Sequence, residues 1–191
     1  MFNSIRCKTT KYLFLIVLIT VACAFKKQPS QLYQITTGKI SFRSDAPLEV
    51  INASSSDLLG LLDIGKKNFS LKIDVHSFKG FNSPLQREHF NENYMESDKY
   101  PYASFNGKII EDADLSVDGT YQVRAKGTLT IHNVAQERII KTDVTVKQKV
   151  ITVHSNFTVL LSDHNIPIPT VVNQKLANEI KVEVNASFEP R

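Results

Sequence analysis

The sequence predicts an all-β protein, a closed eight-stranded antiparallel barrel with a short helical lid inserted between its third and fourth strands. Three observations carry that expectation. Several long segments alternate apolar and polar residues with a period of two, so each offers one greasy and one wet face. Turn residues separate these segments at regular intervals. Almost no other helix is available to cover the greasy faces, and strands in that situation close on one another, which removes both exposed edges and gives the apolar faces a common interior.

The chain opens with a segment that does not belong to the barrel. Arg6, Lys8 and Lys11 precede "YLFLIVLIT" and "VACAF", a basic start, an apolar run of about a dozen residues and a small-residue end, which together describe a secretory signal over residues 1–24. The apolar run is too short for a transmembrane helix of about 20 residues. Ala22-Cys23-Ala24 fits an ordinary signal cut, while Thr20-Val21-Ala22-Cys23 resembles a bacterial lipoprotein box that would leave Cys23 acylated and the protein in contact with a membrane surface. Residues 25–31, containing "KKQPSQ", read as a tether, and the barrel domain takes residues 32–191.

Eight candidate strands follow: "LYQITTGKISFRS", "LEVINA", "NFSLKIDVHSF", "YASFNGKII", "TYQVRAKGTLTIH", "ERIIKTDVTVKQK", "VITVHSNFTVLL" and "NEIKVEVNASF". They are rich in β-branched and aromatic residues. Alternation is clearest where Phe69, Leu71, Ile73 and Val75 interleave with Ser70, Lys72, Asp74 and His76, and where Ile180, Val182, Val184, Ala186 and Phe188 interleave with Lys181, Glu183, Asn185 and Ser187. Between the second and third strands, Ser54-Ser55-Ser56-Asp57 reads as the cap of a helical turn, "DLLGLLD". Asp118-Gly119 reads as a hairpin turn, Ile131-His132-Asn133-Val134 as another connection, and "NIPIPTVVNQ", with two prolines, as a long loop before the last strand.

The lid is "NSPLQREHFNENYMESDKYPYASF", which breaks the alternation around it. Ser83 and Gln86 make a capping box, and Pro84 takes the first helical position, where its missing N–H costs nothing. On a helical wheel Leu85, Gln86, His89, Phe90, Asn93 and Tyr94 share one half, with Met95 the one apolar residue on the other. Pro101 forces Tyr100 extended and launches the next strand.

An eight-stranded barrel is either just filled by side chains or just wide enough for one ligand. Ala103, Gly107, Ala125 and Gly127 leave room on the inward faces, and a tall, narrow, apolar interior suits an elongated ligand. The alternative is that both glycines mark kinks or bulges around a solid core. The residues alone leave the two open.

Several chemistries are excluded or disfavoured. Of 23 Lys and Arg, three lie in the leader, leaving 20 against 19 Asp and Glu, a net charge of about +1 with no basic cluster for nucleic acid. Cys7 and Cys23 both fall in or at the edge of the leader, so the barrel has no disulfide, thiolate zinc ligand or cysteine nucleophile. No nucleophile elbow, metalloprotease helix or phosphate loop occurs. Ser162, Asp163 and His164 are adjacent on what reads as an extended segment, so their side chains point apart. His76, His132 and His154 read as solvated residues on the wet faces of strands, and Asp112 and Asp114 as loop residues. Sequons at Asn52, Asn68, Asn156 and Asn185 read as chance in a chain rich in Ser, Thr and Asn.

The lid motif with its Lys99-Tyr100-Pro101 end, the "TYQVRAKGTLTIHNV" hairpin, "LLSDHNIPIP" and the terminal "IKVEV" strand resemble the YceI-like family of secreted proteins, in the form found in Bacteroidota, over about residues 32–189. The resemblance implies a lipocalin-like barrel holding a polyisoprenoid or similar amphiphile in a cavity, without catalysis or a cofactor beyond that lipid. It also implies a periplasmic or outer-membrane-associated location. The family's His-Leu or His-Met pair and Asp-Phe-Phe-Asp run become His89-Phe90 and Asn93-Tyr94-Met95-Glu96, which keeps the soft apolar character and changes the acids. The expected lining is Leu85, Phe90, Tyr94 and Met95 from the lid, with Phe105, Val123, Ala125 and Phe157 from the strands. Two other readings stand beside the lipid binder: a filled structural or partner-binding barrel, and a barrel isomerase or cyclase, which would need an inward-facing acid or base. Oligomeric state is not legible.

Overall fold

The computed structural model describes residues 31–191. The expected signal, its candidate acylation site Cys23 and residues 25–30 of the tether lie outside the described residues. The described chain forms β1 (Leu32–Asp45), β2 (Val50–Ser55), β3 (Leu59–Asp63), β4 (Asn68–Asp74), α1 (Pro84–His89), β5 (Tyr102–Ile109), β6 (Gly119–Ile131), β7 (Val134–Lys147), β8 (Val150–Leu160) and β9 (Glu179–Pro190). From β3 to β9 each strand pairs antiparallel with the next, and β1 closes the ring by pairing with β9 on one edge and β3 on the other. The eight-stranded barrel is therefore closed, as the alternation requires.

The ninth segment corrects the sequence reading. "DLLGLLD" is not helical; it contains β3, and β2 and β3 are two halves of one interrupted strand position beside β1, paired with Ile40–Asp45 and Leu32–Gln34 respectively. The leucine run obeys period two: Leu58 and Leu62 are buried, while Leu59 and Leu61 are exposed. The serines punctuate the break, with the Ser55 hydroxyl accepting from the Asp57 N–H at 3.1 Å. Pairing on both sides overrides local helical preference.

The long β1 also changes inward face partway. Ile35 pairs with Phe188 and Thr37 with Ser187, so Thr36 is an extra residue, and the inward set moves from Tyr33 and Ile35 to Ile40, Phe42 and Ser44. The β6–β7 turn, His132-Asn133, and the β7–β8 turn, Gln148-Lys149, both place two residues at positive φ (50° and 59°; 51° and 64°), as a primed hairpin turn demands. Asp118-Gly119 is not such a turn. Residues 110–118 instead form a longer connection whose Leu115, 3% exposed, plugs one end of the barrel, while the Asp118 carboxylate accepts from the Gln148 N–H.

Gly107 and Gly127 face each other in the β5–β6 pair. A Cβ on either would run into the opposite strand's backbone, at the Lys126 carbonyl or the Asn106 carbonyl. Their small size serves close strand approach rather than interior room. Core residues such as Ile151 and Val144, 0% and 1% exposed, each contribute about 1.5–3 kcal/mol of burial.

Candidate functional site

The barrel axis is hollow and divided into two consecutive chambers. The upper one, about 480 Å³, lies under the lid, and the deeper one is about 140 Å³. Ile40, Ile73 and Ala103 line both, and so form the throat between them.

The lid is built as its sequence dictates up to His89. The Ser83 hydroxyl accepts from the Gln86 N–H at 3.1 Å, Pro84 starts the helix, and the Gln86 side-chain oxygen accepts from the Asn82 N–H at 3.0 Å. Beyond His89 the chain widens into a π turn over Phe90–Tyr94, closed by the Met95 N–H to the Phe90 carbonyl at 2.9 Å. That widening explains Met95. A regular helix sends it to the polar half, whereas the extra residue per turn rotates it back, so that Leu85, Phe90, Tyr94 and Met95 all line the upper chamber. Phe90 anchors the roof, stacked 5.5 Å from Phe42 and packed 5.0 Å from Phe81. Burial raises the Tyr94 pKa above that of a free phenol.

Phe105, Val123, Ala125 and Phe157 all line the deeper chamber. Phe69 and Phe105, with ring centroids 4.9 Å apart, narrow it. Two of its hydroxyls, those of Thr142 and Ser155, bond to each other at 2.8 Å. Of the small residues, Ala103 and Ala125 line the hollow; Gly107 and Gly127 do not.

Much of the upper chamber was not legible in the sequence. Phe42, Phe78 and Phe81 face it from β1 and the β4–α1 connection, and the proline-bearing loop before β9 supplies Val172, Lys175 and Leu176 as a wall. The prolines marked that stretch as a loop, and nothing local marked it as folded back over the barrel. The polar residues on the lining are few: Ser44, Glu49, Ser83, Gln86, His89 and Lys175. The Ser44 hydroxyl accepts from the Ala177 N–H at 2.9 Å.

The histidines do not meet. No group of three metal-ligating side chains exists among the described residues. His76 is not on a strand; β4 ends at Asp74, and His76 sits in a 3-10 turn with its Nε2 3.2 Å from Asp98. His154 Nδ1 lies 2.7 Å from the Asn185 side-chain oxygen. His132 is not solvated either: its side chain is 11% exposed and bridges Glu96 of the lid segment and the His164 carbonyl. Ser162, Asp163 and His164 occupy a 3-10 turn rather than an extended segment, and His164 is fully buried, donating from Nδ1 to the Val134 carbonyl at 3.0 Å. Burial pushes the His164 pKa below its ordinary value.

Among curated proteins none matches the sequence. Among solved structures, a polyisoprenoid binding domain from Saccharophagus degradans, implicated in plant cell wall breakdown, is similar at 16% identity with a TM-score of 0.71, over 83% of this chain and 98% of that one. BcnA of Burkholderia cenocepacia is similar at 18% identity and TM-score 0.65, over 78% and 95%. The YceI protein of Campylobacter jejuni is similar at 17% identity and TM-score 0.59, over 73% and 85%. At these identities the likeness speaks to the barrel alone. The model of the YceI-like domain matches residues 29–188. With that match over most of its length, the chain belongs to the YceI-like family.

Proposed function

We propose that the barrel binds an elongated hydrophobic or amphiphilic ligand, a polyisoprenoid or similar lipid, and holds it for storage or transport in the cell envelope. The observation that carries this reading is the pair of apolar chambers joined end to end beneath a separate aromatic lid. The upper chamber, about 480 Å³, falls within the range of about 300–1,000 Å³ usual for small-molecule sites, and the deeper one extends it. Membership of the family supports the reading, as does the ligand named for the Saccharophagus domain. Binding rather than turnover is supported by the deeper chamber, whose lining is apolar apart from Lys72, Ser104 and the paired hydroxyls of Thr142 and Ser155. The leader read in the sequence supports export to the periplasm or the outer-membrane surface, with Cys23 as the site of acylation and membrane attachment.

Organic extraction of natively purified protein followed by mass spectrometry tests the reading. A single long-chain lipid near one per protein is the expected result. Protein that yields no lipid and takes up none from detergent-solubilised membranes would overturn it in favour of a structural barrel. Replacing Cys23 with Ser should move the protein from the membrane fraction to the soluble one.

A further inference from the structure

The rim of the upper chamber carries charge that the fold does not use. Lys175 and His89 both line that chamber and are both exposed, and among the described residues neither side chain has a hydrogen-bond or ion-pair partner. The one carboxylate on the same lining, Glu49, is already engaged. Its Oε1 accepts from Gln86 Nε2 at 2.9 Å and from Asn82 Nδ2 at 3.3 Å, which ties the β1–β2 connection to the lid. Both donors are neutral amides, so Glu49 keeps its charge while its Oε1 is taken up by the lid, and the charged or basic side chains left without a partner on this lining are Lys175 and His89.

Lys175 is also held in place. On one side of it the Gln174 carbonyl accepts from the Leu48 N–H at 2.8 Å, and on the other the Ala177 N–H donates to the buried Ser44 hydroxyl at 2.9 Å. Its own N–H donates to the Val172 carbonyl at 2.8 Å. The backbone that presents this ammonium is stitched to β1 and its following turn, so the cation has a fixed origin on the chamber's lining. His89 ends α1 and lines the same chamber.

We propose that the mouth recognises the anionic head, a carboxylate or a phosphate monoester, of a single-chain amphiphile whose tail enters the chambers. This rests on the lipid-binding reading above. The head is held outside the apolar hollow, because an unpaired charge does not follow a tail into a dry interior. At the rim the anion meets the Lys175 ammonium and the His89 ring, a charge-assisted pairing. A neutral alcohol gains nothing from the ammonium, so the pairing sets both the head chemistry and the tail-first orientation.

The test uses the mature chain, stripped of lipid, and three probes with one tail: hexadecanol, hexadecanoate and hexadecyl phosphate, each titrated below its micelle concentration. The expected result is that at least one of the two anions binds roughly fivefold or more tighter than the alcohol. Lys175→Gln should abolish that preference and Lys175→Glu should reverse it, with circular dichroism unchanged. The two anionic arms separate a carboxylate head from a phosphate one. Equal binding of all three probes, or a preference that survives Lys175→Glu, would overturn the head-group assignment and leave the lipid-binding reading standing. Binding of none of them would bring both down together.

Discussion

Glu96 of the lid segment and His132 of the β6–β7 turn form an ion pair, Oε2 to Nε2, at 2.8 Å, and the same ring places Nδ1 3.2 Å from the His164 carbonyl. Both partners are acceptors. The one ring thus ties the end of the lid to the β6–β7 turn and to the turn that follows β8. The Tyr100 and His132 rings meet in a T-shaped contact, their centroids 4.8 Å apart.

Glu96→Gln keeps the shape of this contact and removes its charge. Amide hydrogen exchange in residues 84–97 should quicken several-fold while the barrel strands keep their protection. Uniform loss of protection would show that the pair supports the barrel rather than the lid.

Acid should weaken the protein in two stages. Burial holds His164 below its ordinary 6.5, so the unfolded chain binds a proton that the folded chain refuses, and stability falls as pH drops below about that value. The hydrogen bond from His132 holds Glu96 below 4.5, so its contribution is present above that value and disappears as pH falls through the lower folded one. Urea midpoints measured from pH 7 to pH 3 should decline in that order. In His164→Asn the upper part of the decline should flatten; an unchanged slope would refute the assignment.

The throat residue Ala103 touches both chambers. Ala103→Leu should close the passage, so that lipid recovered from the variant is shorter or absent. Overpacking of this kind costs about 1–3 kcal/mol in a filled core and less beside a void. An unchanged extracted mass would mean that the tail does not pass the throat.

Gly107→Ala and Gly127→Ala should each cost roughly 2–4 kcal/mol by denaturant melting, since the new methyl meets opposing backbone that cannot move aside without parting the β5–β6 pair. Phe157→Ala should cost about 3–5 kcal/mol whether or not lipid is bound, so its stability effect does not report on the ligand.

How much of this was legible differs from residue to residue. Ile180, Val184, Ala186 and Phe188 of β9 turn inward as their spacing requires, and Ser83, Pro84 and Gln86 open the lid as their chemistry requires. These are local signals, because side-chain direction on a strand and satisfaction of a helix's first N–H groups depend on near neighbours. An ideal helical wheel sets Met95 apart from Leu85, Phe90 and Tyr94, with which it lines the chamber, because nothing in "FNENY" announces a π turn. His132 looked solvated because its partners, Glu96 and the His164 carbonyl, lie 36 and 32 residues away in the chain. The "DLLGLLD" segment looked helical because its leucines fit either period, and the choice fell to pairing with β1 and β4.

By itself, then, the sequence determined that the strands would each have one greasy face in want of a cover, and with no helices to supply it, closure into a barrel is the arrangement it points to. It did not determine whether the barrel would be solid or hollow. Interior volume is a sum over side chains from every strand and both ends, and only the tertiary structure, by placing Leu115 at one end and the Phe42, Phe81 and Phe90 cluster at the other, decided that two chambers remain between them.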